Sequence, residues 1–223
     1  MADNRKMWSD LGMNLELHDQ LCEVLPQAFG DVFLSQENRP ESMDYYNMVV
    51  ADIHGIRPAE LIEHQKKGGK VFGTFCVYVP DEVIFAADAI ATGLCGGSQF
   101  WVPGGEKVLP TNTCPLIKAS VGARLDRTCP FFRIADMYIG ETTCDGKKKA
   151  WEILSEDVPV YVMDLPQMKR AKDVQAWAEE ITALKDKVEE FTGNKVTAEK
   201  LGESIRLIND KRRVLERLYN CRK

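Results

Sequence analysis

The sequence lacks any long apolar run, and its first residues lack the apolar core of a secretory signal. Hydrophobic residues make up 44% of the 223-residue chain. No stretch approaches the roughly 18 consecutive apolar residues that a membrane-spanning helix requires. The opening residues, MADNRKMWSDLGMNLELHDQ, contain no apolar h-region. These absences favour a soluble, cytoplasmic protein that does not enter a membrane.

Basic stripes and glycine-rich phosphate motifs are also absent. The chain has 29 Lys and Arg against 34 Asp and Glu, a formal net charge of −5. A nucleic-acid binder would show a basic stripe. The sequence contains neither a Walker A motif nor a G-x-G-x-x-G motif. We therefore expect no nucleic-acid partner and no nucleotide bound by this chain.

Cysteine is present but sparse, and no C-x-x-C pair occurs. Seven cysteines in 223 residues fall well below the roughly 8–10% of a disulfide scaffold. Without C-x-x-C, neither a zinc ribbon nor a thioredoxin-type dithiol is indicated. In a reducing compartment such residues are buried thiols, metal ligands or redox centres.

Strand-like and helix-like segments alternate in the middle of the chain. Strands are predicted at residues 70–77, within 91–102, at 136–143 and at 158–165. Helices are predicted at 80–92, 114–125 and 147–154. Such alternation predicts a Rossmann-like α/β fold, in which helices flank a parallel sheet. The carboxyl ends of parallel strands share one edge, where ligands bind.

Three regions follow from this pattern: a lead-in at residues 1–45, the Rossmann-like α/β domain at 46–166, and a long helical pair at 167–223. The pair is predicted at 170–192 and 197–220, with Thr197 as an N-cap. One apolar face of the second helix carries Leu201, Ile205, Ile208, Leu215 and Leu218. The pair is either a hairpin that covers the sheet or a connector to an absent second domain.

Four cysteines are expected at the ligand-binding edge. Cys76 ends the first strand, Cys144 ends the third, and Cys95 ends or follows the second. Cys114, before Pro115, opens a helix from the same edge. Helix N-termini favour thiolate over thiol and also favour an anionic iron–sulfur cluster. This argues for metal ligation by Cys114 and Cys144, whereas Cys76 is open between ligation and packing.

The remaining cysteines, the three histidines and Glu141 can also be explained by structural roles. Cys22 and Cys221 are expected to be small buried hydrophobes, and Cys95 and Cys129 are open between packing and ligation. Solvent-facing or structural roles, rather than metal ligation, are expected for His18, His54 and His64. Glu141 either acts near the site or is a surface carboxylate or ion-pair partner of lysines 147–149, which follow Cys144.

Several long strings resemble one family. GTFCVYVPDEVIFAADAI, LPTNTCPLIKAS, CPFFRIAD and GETTCDGKKKAWEIL are similar to the double-cubane cluster proteins. These belong to the benzoyl-CoA reductase and 2-hydroxyacyl-CoA dehydratase D-subunit superfamily. The resemblance runs from about residue 50 to the end of the chain. It implies Cys114 and Cys144 as paired ligands and Cys76 as the third, with Cys95 or Cys129 replacing or joining them.

The resemblance also implies a cofactor and partners. The cofactor would be an iron–sulfur cluster, either one 4Fe–4S cubane or a double cubane, stabilised in charge by lysines 147–149. Electrons would come from an ATP-hydrolysing iron–sulfur activator protein in an anaerobic, low-potential reductase system. Family members run to nearly twice this length, so the chain resembles an N-terminal half that is completed by a homodimer or by a second-domain partner chain.

Three hypotheses for the function stay open, of which the first is preferred. The chain is either part of a reductase of the double-cubane type or the iron–sulfur subunit of a 2-hydroxyacyl-CoA dehydratase, which removes water from a CoA thioester by radical chemistry. The third possibility is a truncated, non-catalytic half with buried cysteines. Catalytic residues and substrate are not indicated by the sequence.

Overall fold

The computed structural model describes residues 4–94 and 96–221. The chain divides into two compact units, and each unit is built from two separate segments. Unit 1 comprises Met1–Lys66 and Leu94–Ile134, and unit 2 comprises Lys67–Gly93 and Ala135–Lys223. The domain boundaries expected near residues 45 and 166 stay predictions.

The secondary structure is mainly helical. The helices are α1 (Arg5–Asp10), α2 (Leu15–Phe29), α3 (Asp44–Ala51), α4 (Ile56–Lys66), α5 (Asp81–Ala86), α6 (Val102–Glu106), α7 (Pro115–Leu125), α8 (Pro130–Ile134), α9 (Asp145–Ser155), α10 (Ala171–Thr192) and α11 (Ala198–Asn220). A π-helical turn at Gly30–Leu34 and 3-10 turns at Glu41–Met43 and Gln99–Trp101 complete them. In the part of the chain that the structure describes, no helix is long and apolar enough to cross a membrane.

Unit 2 contains the parallel sheet. Its strands are β1 (Val71–Thr74), β2 (Ile90–Gly93), β3 (Met137–Glu141) and β4 (Val160–Met163). Their order is β2-β1-β3-β4, and every neighbouring pair is parallel. The expected α/β, Rossmann-like fold with flanking helices is therefore confirmed.

Apolar burial holds the helices of unit 2 to this sheet. The core contains residues from the strands, from α5 and from α10: Phe72, Ile139, Met163, Ile84, Leu184 and Val188. Each fully buried side chain of this size contributes roughly 1.5–3 kcal/mol. Helix α10 therefore packs on the sheet.

Helix α11 is covered over part of its length. Ile208 is buried, whereas Leu215 and Leu218 are more than half exposed. Lys211 and Arg212 pair with Asp81 and Glu82 at the start of α5. The apolar face predicted for this helix is thus buried at its middle and open toward its end.

Two predicted boundaries were wrong around the first two strands. The first strand ends at Thr74 rather than 77, and the predicted helix 80–92 ends at Ala86. Asp88 has a positive φ of 57°, which turns the chain out of the helix. Strand β2 consequently begins at Ile90, inside the predicted helix. The other predictions in this region were correct within a few residues. They are the helix starts at 115 and 145, strands β3 and β4, and the N-cap at Thr197.

In unit 1, a pair of histidines ties the N-terminal helices to the turn before α4. His18 is fully buried, and its Nε2 lies 2.9 Å from Nδ1 of His54. The Trp8 indole packs against the His18 ring and donates to the His54 carbonyl at 2.7 Å. Cys22 lies beside the same ring. The expected structural role is confirmed for these two histidines.

This pair predicts acid sensitivity between pH 7 and pH 5. Burial lowers the pKa of His54 to about 4, from 6.5, and also lowers that of His18. The unfolded chain therefore binds more protons in that window, so the free energy of unfolding falls as pH falls. We expect a loss of about 1–2 kcal/mol from His54 between about pH 7 and pH 5, measured by denaturant unfolding. Carboxylates titrate mostly below this window.

The control separates this pair from other titrating groups. His18→Gln/His54→Gln should flatten the dependence on pH even where it lowers stability at pH 7. An unchanged slope in the double variant would contradict the assignment.

Candidate functional site

The strand order creates a switch point between β1 and β3. From β1 the chain crosses to β2 on one side, and it later returns to β3 on the other side. In open parallel sheets, ligands bind beyond the carboxyl ends of the strands at such a point. Cys76 lies two residues after β1, and Cys144 lies three residues after β3. The structure thus places two of the predicted ligands after the two strands that flank the switch point.

Cys144 is exposed and forms the N-cap of α9. Its carbonyl accepts a hydrogen bond from the Lys148 backbone at 3.2 Å. It lines an open cleft of about 660 Å³ at the ends of β3 and β4, together with Thr143, Lys148 and Asp164. The cleft is largely polar and offers hydroxyl, carboxylate, ammonium and thiol groups.

Glu141, at the end of β3, is a buried structural carboxylate. It accepts hydrogen bonds from the Thr143 backbone at 3.0 Å and from the Thr143 hydroxyl at 2.6 Å, and it pairs with Lys147. Burial alone would raise the pKa of Glu141, but the bonds from Lys147 and Thr143 outweigh it and hold the pKa below its usual value. The Trp151 indole donates to the Glu141 carbonyl at 2.8 Å. The ion-pair alternative is therefore confirmed, and these bonds fix the turn that carries Cys144.

The three lysines after Cys144 have different partners. Lys147 is held by Glu141, and Lys149 pairs with Glu152 at 2.5 Å on the outer side of α9. Lys148 lies 3.4 Å from Asp145 and lines the cleft. From the sequence, the three lysines were predicted to act together as one cationic group. In the structure, Lys148 alone of the three borders the cleft.

Cys114 belongs to unit 1, where it is exposed at the N-cap of α7. One turn later Lys118 is buried, and its ammonium donates to the Thr111 carbonyl at 2.7 Å and to Glu106 at 2.5 Å. Lys118 therefore ties the loop before Cys114 to α6 and α7. Sequence reasoning missed this role, although the spacing of four residues from Cys114 on one helix face was a usable signal.

The remaining thiols differ in environment. Cys129 is buried, Cys22 and Cys76 are half-buried, and Cys221 is exposed. The expectation that Cys221 is buried was wrong, because the last turns of α11 are uncovered. Cys95 lies outside the described residues.

No three-ligand metal group is formed by the His, Cys, Asp and Glu side chains of residues 4–94 and 96–221. Cys76 and Cys144 share the sheet edge of unit 2, and Cys114 is placed in unit 1. Ligation by the three cysteines stays a prediction.

The family is shown by comparison with known proteins. Residues 76–223 match the model of the 2-hydroxyglutaryl-CoA dehydratase D-component family. The protein belongs to this family, as its motifs indicated.

Two curated relatives agree with that membership. The chain is 38% identical over 161 residues to "Putative dehydratase subunit YjiM" of Escherichia coli (strain K12), a match that covers 72% of this chain and 42% of the relative. It is 26% identical over 159 residues to a benzoyl-CoA reductase subunit of Thauera aromatica, covering 69% of this chain and 40% of the relative. The chain thus matches about two fifths of the length of each relative.

The buried carboxylate gives a test of the β3–α9 turn. Glu141→Gln removes the charge and leaves Lys147 without its counter-ion, so we expect a loss of about 3 kcal/mol in the free energy of unfolding at pH 7. Because the pKa of Glu141 is lowered in the folded state, its stabilising contribution is present above the unfolded pKa of about 4.5. The contribution is lost as pH falls through the folded pKa, so the difference from wild type should shrink under acid. Denaturant unfolding of the variant and of wild type, at pH 7 and under acid, measures this difference in the free energy of unfolding.

A matched control lies on the same helix. Glu152→Gln removes the exposed partner of Lys149 and should leave stability nearly unchanged. Equal losses in the free energy of unfolding for the two substitutions would show that the buried pair stabilises the fold no more than an exposed pair does.

Proposed function

We propose that this chain is an iron–sulfur subunit of a reductase system of the double-cubane type, with Cys76, Cys114 and Cys144 as ligands. The observation that carries the proposal is the position of Cys76 and Cys144 after β1 and β3, the strands on either side of the switch point. Family membership supports a dehydratase- or reductase-type subunit.

The donor set fits the cofactor. Iron–sulfur clusters are held by cysteine thiolates, and Cys114 and Cys144 are exposed while Cys76 is half-buried. Two of these thiols begin helices of 11 residues, whose N-terminal N–H groups favour anionic ligands. No three-ligand group is formed in the described residues. The proposal therefore requires that the cysteine side chains move to within ligation distance when the cluster binds.

Within this proposal, the cluster supplies one-electron chemistry at low potential, and the chain's own residues hold and orient its ligands. Glu141, Thr143 and Lys147 fix the turn before Cys144, and Lys118 fixes the loop before Cys114. Lys148 adds positive charge at the cleft. Hydrogen bonds and nearby charge tune the potential of such clusters.

The proposal includes partners. Electrons would come from an ATP-hydrolysing iron–sulfur activator protein, and a second chain or a second domain would supply further ligands. Both relatives are named as subunits, which supports assembly with other chains.

The second candidate is the iron–sulfur subunit of a 2-hydroxyacyl-CoA dehydratase. The family description and the name of the Escherichia coli relative favour it. Activator-dependent loss of water from a 2-hydroxyacyl-CoA would support this candidate. Reduction of small substrates without CoA would support the first.

The test is iron and acid-labile sulfide analysis of the chain purified and reconstituted without oxygen. We expect about four irons per chain for one cubane, or about eight for a double cubane, with a broad visible absorption. Cys114→Ser/Cys144→Ser should lose the iron and the absorption, because thiolates are the dominant ligands of such sites.

Controls use the cysteines outside the predicted set. Cys22→Ser and Cys221→Ser should keep full iron content, and single Cys76, Cys95 and Cys129 variants identify the third ligand. A well-folded, colourless wild-type chain with no iron would contradict cluster binding by this chain alone. It would mean that the chain is incomplete without its partner domain or is a non-catalytic half.

A further inference from the structure

Two histidines close the base of a long excursion of the chain in unit 1. Residues 22–54, here called the arm, contain no buried residue, although Leu21 and Gly55 on either side are buried. The arm begins within α2 and ends in the turn before α4. His18 lies shortly before the arm and His54 is its last residue, so the contact between their rings joins the two ends.

The contact that holds the last turn of the arm is small and specific. Nε2 of His18 lies 2.9 Å from Nδ1 of His54, and the Trp8 indole donates to the His54 carbonyl at 2.7 Å. The Asn4 side-chain amide donates to the Asp52 carboxylate at 3.3 Å. These three contacts attach residues 52–54 to α1 and α2.

The residue after the pair is shaped for this close approach. A Cβ atom at Gly55 would collide with the Asp52 carboxylate and with the Asn4 amide. Glycine permits such an approach because it has no side chain. The sequence therefore allows the turn to lie directly against the start of α1.

Opening of this turn would break few contacts, because the helices on either side are anchored independently. Leu21 in α2 and Leu61 in α4 are buried, and Gln65 in α4 donates to the Ile134 carbonyl at 2.9 Å. Segments with few buried apolar contacts open at a fraction of the free energy of global unfolding. The last turn of the arm is thus able to detach while α2 and α4 stay in place.

The protonation state of the two rings decides whether the turn stays attached. In a neutral pair one ring donates an N–H and the other accepts on a bare nitrogen, whereas a doubly protonated pair has two N–H groups facing each other. Burial lowers the pKa of both rings, and it lowers that of His54 to about 4. Once the turn opens, the pKa of His54 returns to about 6.5. The open form therefore binds more protons, so opening becomes more favourable as pH falls.

The charged groups on the surrounding elements have other partners. Arg5 pairs with Asp19, Arg57 pairs with Glu60, Arg133 donates to the Leu11 carbonyl, and Asp52 accepts from Asn4 and from the Ile56 backbone. Asp19 favours the charged form of His18, whereas Arg5 disfavours it. Burial raises the pKa of the adjacent Cys22 thiol. The two histidines are therefore the groups that gain protons at this contact between pH 7 and pH 5.

We propose that His18 and His54 form an acid-sensitive clasp, which holds the last turn of the arm against α1 and α2 at neutral pH and releases it toward pH 5 while the rest of each unit stays folded. This local release goes beyond the loss of overall stability predicted from the same pair, and it does not depend on the iron–sulfur proposal. The change in the pKa of His54 alone raises the equilibrium constant for opening by about twentyfold between about pH 7 and pH 5.

The test is hydrogen exchange of the tryptophan indole N–H groups, followed by NMR on the full chain. The Trp8 indole is bonded to the His54 carbonyl, so its exchange requires that the clasp opens. Trp101 and Trp151 are buried and serve as controls in the same sample, because their indoles are hydrogen-bonded within unit 1 and unit 2 respectively.

Protection is the rate of a free indole at the same pH divided by the rate in the protein. We expect the protection of Trp8 to be at least about tenfold lower than that of Trp151 at both pH values, because local opening needs less free energy than global unfolding. It should fall about twentyfold from about pH 7 to pH 5. Urea below the unfolding transition should leave it unchanged, because opening of one turn exposes little surface.

Two variants separate the histidines from the other contacts of the turn. His18→Gln/His54→Gln should remove the dependence of Trp8 protection on pH. Asn4→Ala, the matched control, removes a bond of the same turn without removing a titrating group. It should lower Trp8 protection equally at both pH values and keep the twentyfold dependence.

Three results would overturn the proposal. Equal protection of Trp8 and Trp151, with the same dependence on urea, would show that the turn opens only when the whole protein unfolds. Absence of Trp8 protection at pH 7 would show that the clasp is not closed there. Protection of Trp8 that does not change between pH 7 and pH 5 would show that the histidines do not control it. These wild-type measurements decide the matter even if the double variant does not fold.

Discussion

Parallel pairing of β1 with both β2 and β3 is the constraint on which unit 2 depends. It makes β1 the interior strand at which the chain reverses its direction of travel across the sheet. The segments that follow β1 and β3 therefore emerge from neighbouring strands at the same edge. Cys76 and Cys144 lie in these two segments, and the fold of unit 2 alone accounts for their shared position.

A buried ionic group stands next to a cysteine in each unit. In unit 2, the Glu141 carboxylate is fixed by Thr143 and Lys147 just before Cys144. In unit 1, the Lys118 ammonium is fixed by Glu106 and the Thr111 carbonyl just after Cys114. Burying a charge is costly unless it is paired and hydrogen-bonded. Such groups tolerate few alternative arrangements, so they hold the two helix starts in defined positions.

Elements with strong local signals were predictable, whereas those set by a single backbone conformation were not. Cys114 before Pro115 marks a helix start because proline is pre-organised for the first turn. Thr197 marks another because its hydroxyl accepts from the Lys200 backbone. The early end of α5 depends on the positive φ of Asp88, which no pattern of hydrophobicity reports. The predicted helix therefore ran into β2.

The sequence by itself determined the alternating α/β pattern, the helix starts at two cysteines and the family, because these depend on residues close together in the chain. Tertiary structure alone decided which strands are neighbours, since strand order comes from contacts between distant segments. It also decided that Glu141 and Lys118 are buried while the apolar residues around Tyr45 are exposed. Burial is a property of the packed chain, so a charged residue can be interior and an apolar helix can face solvent when the surrounding contacts require it.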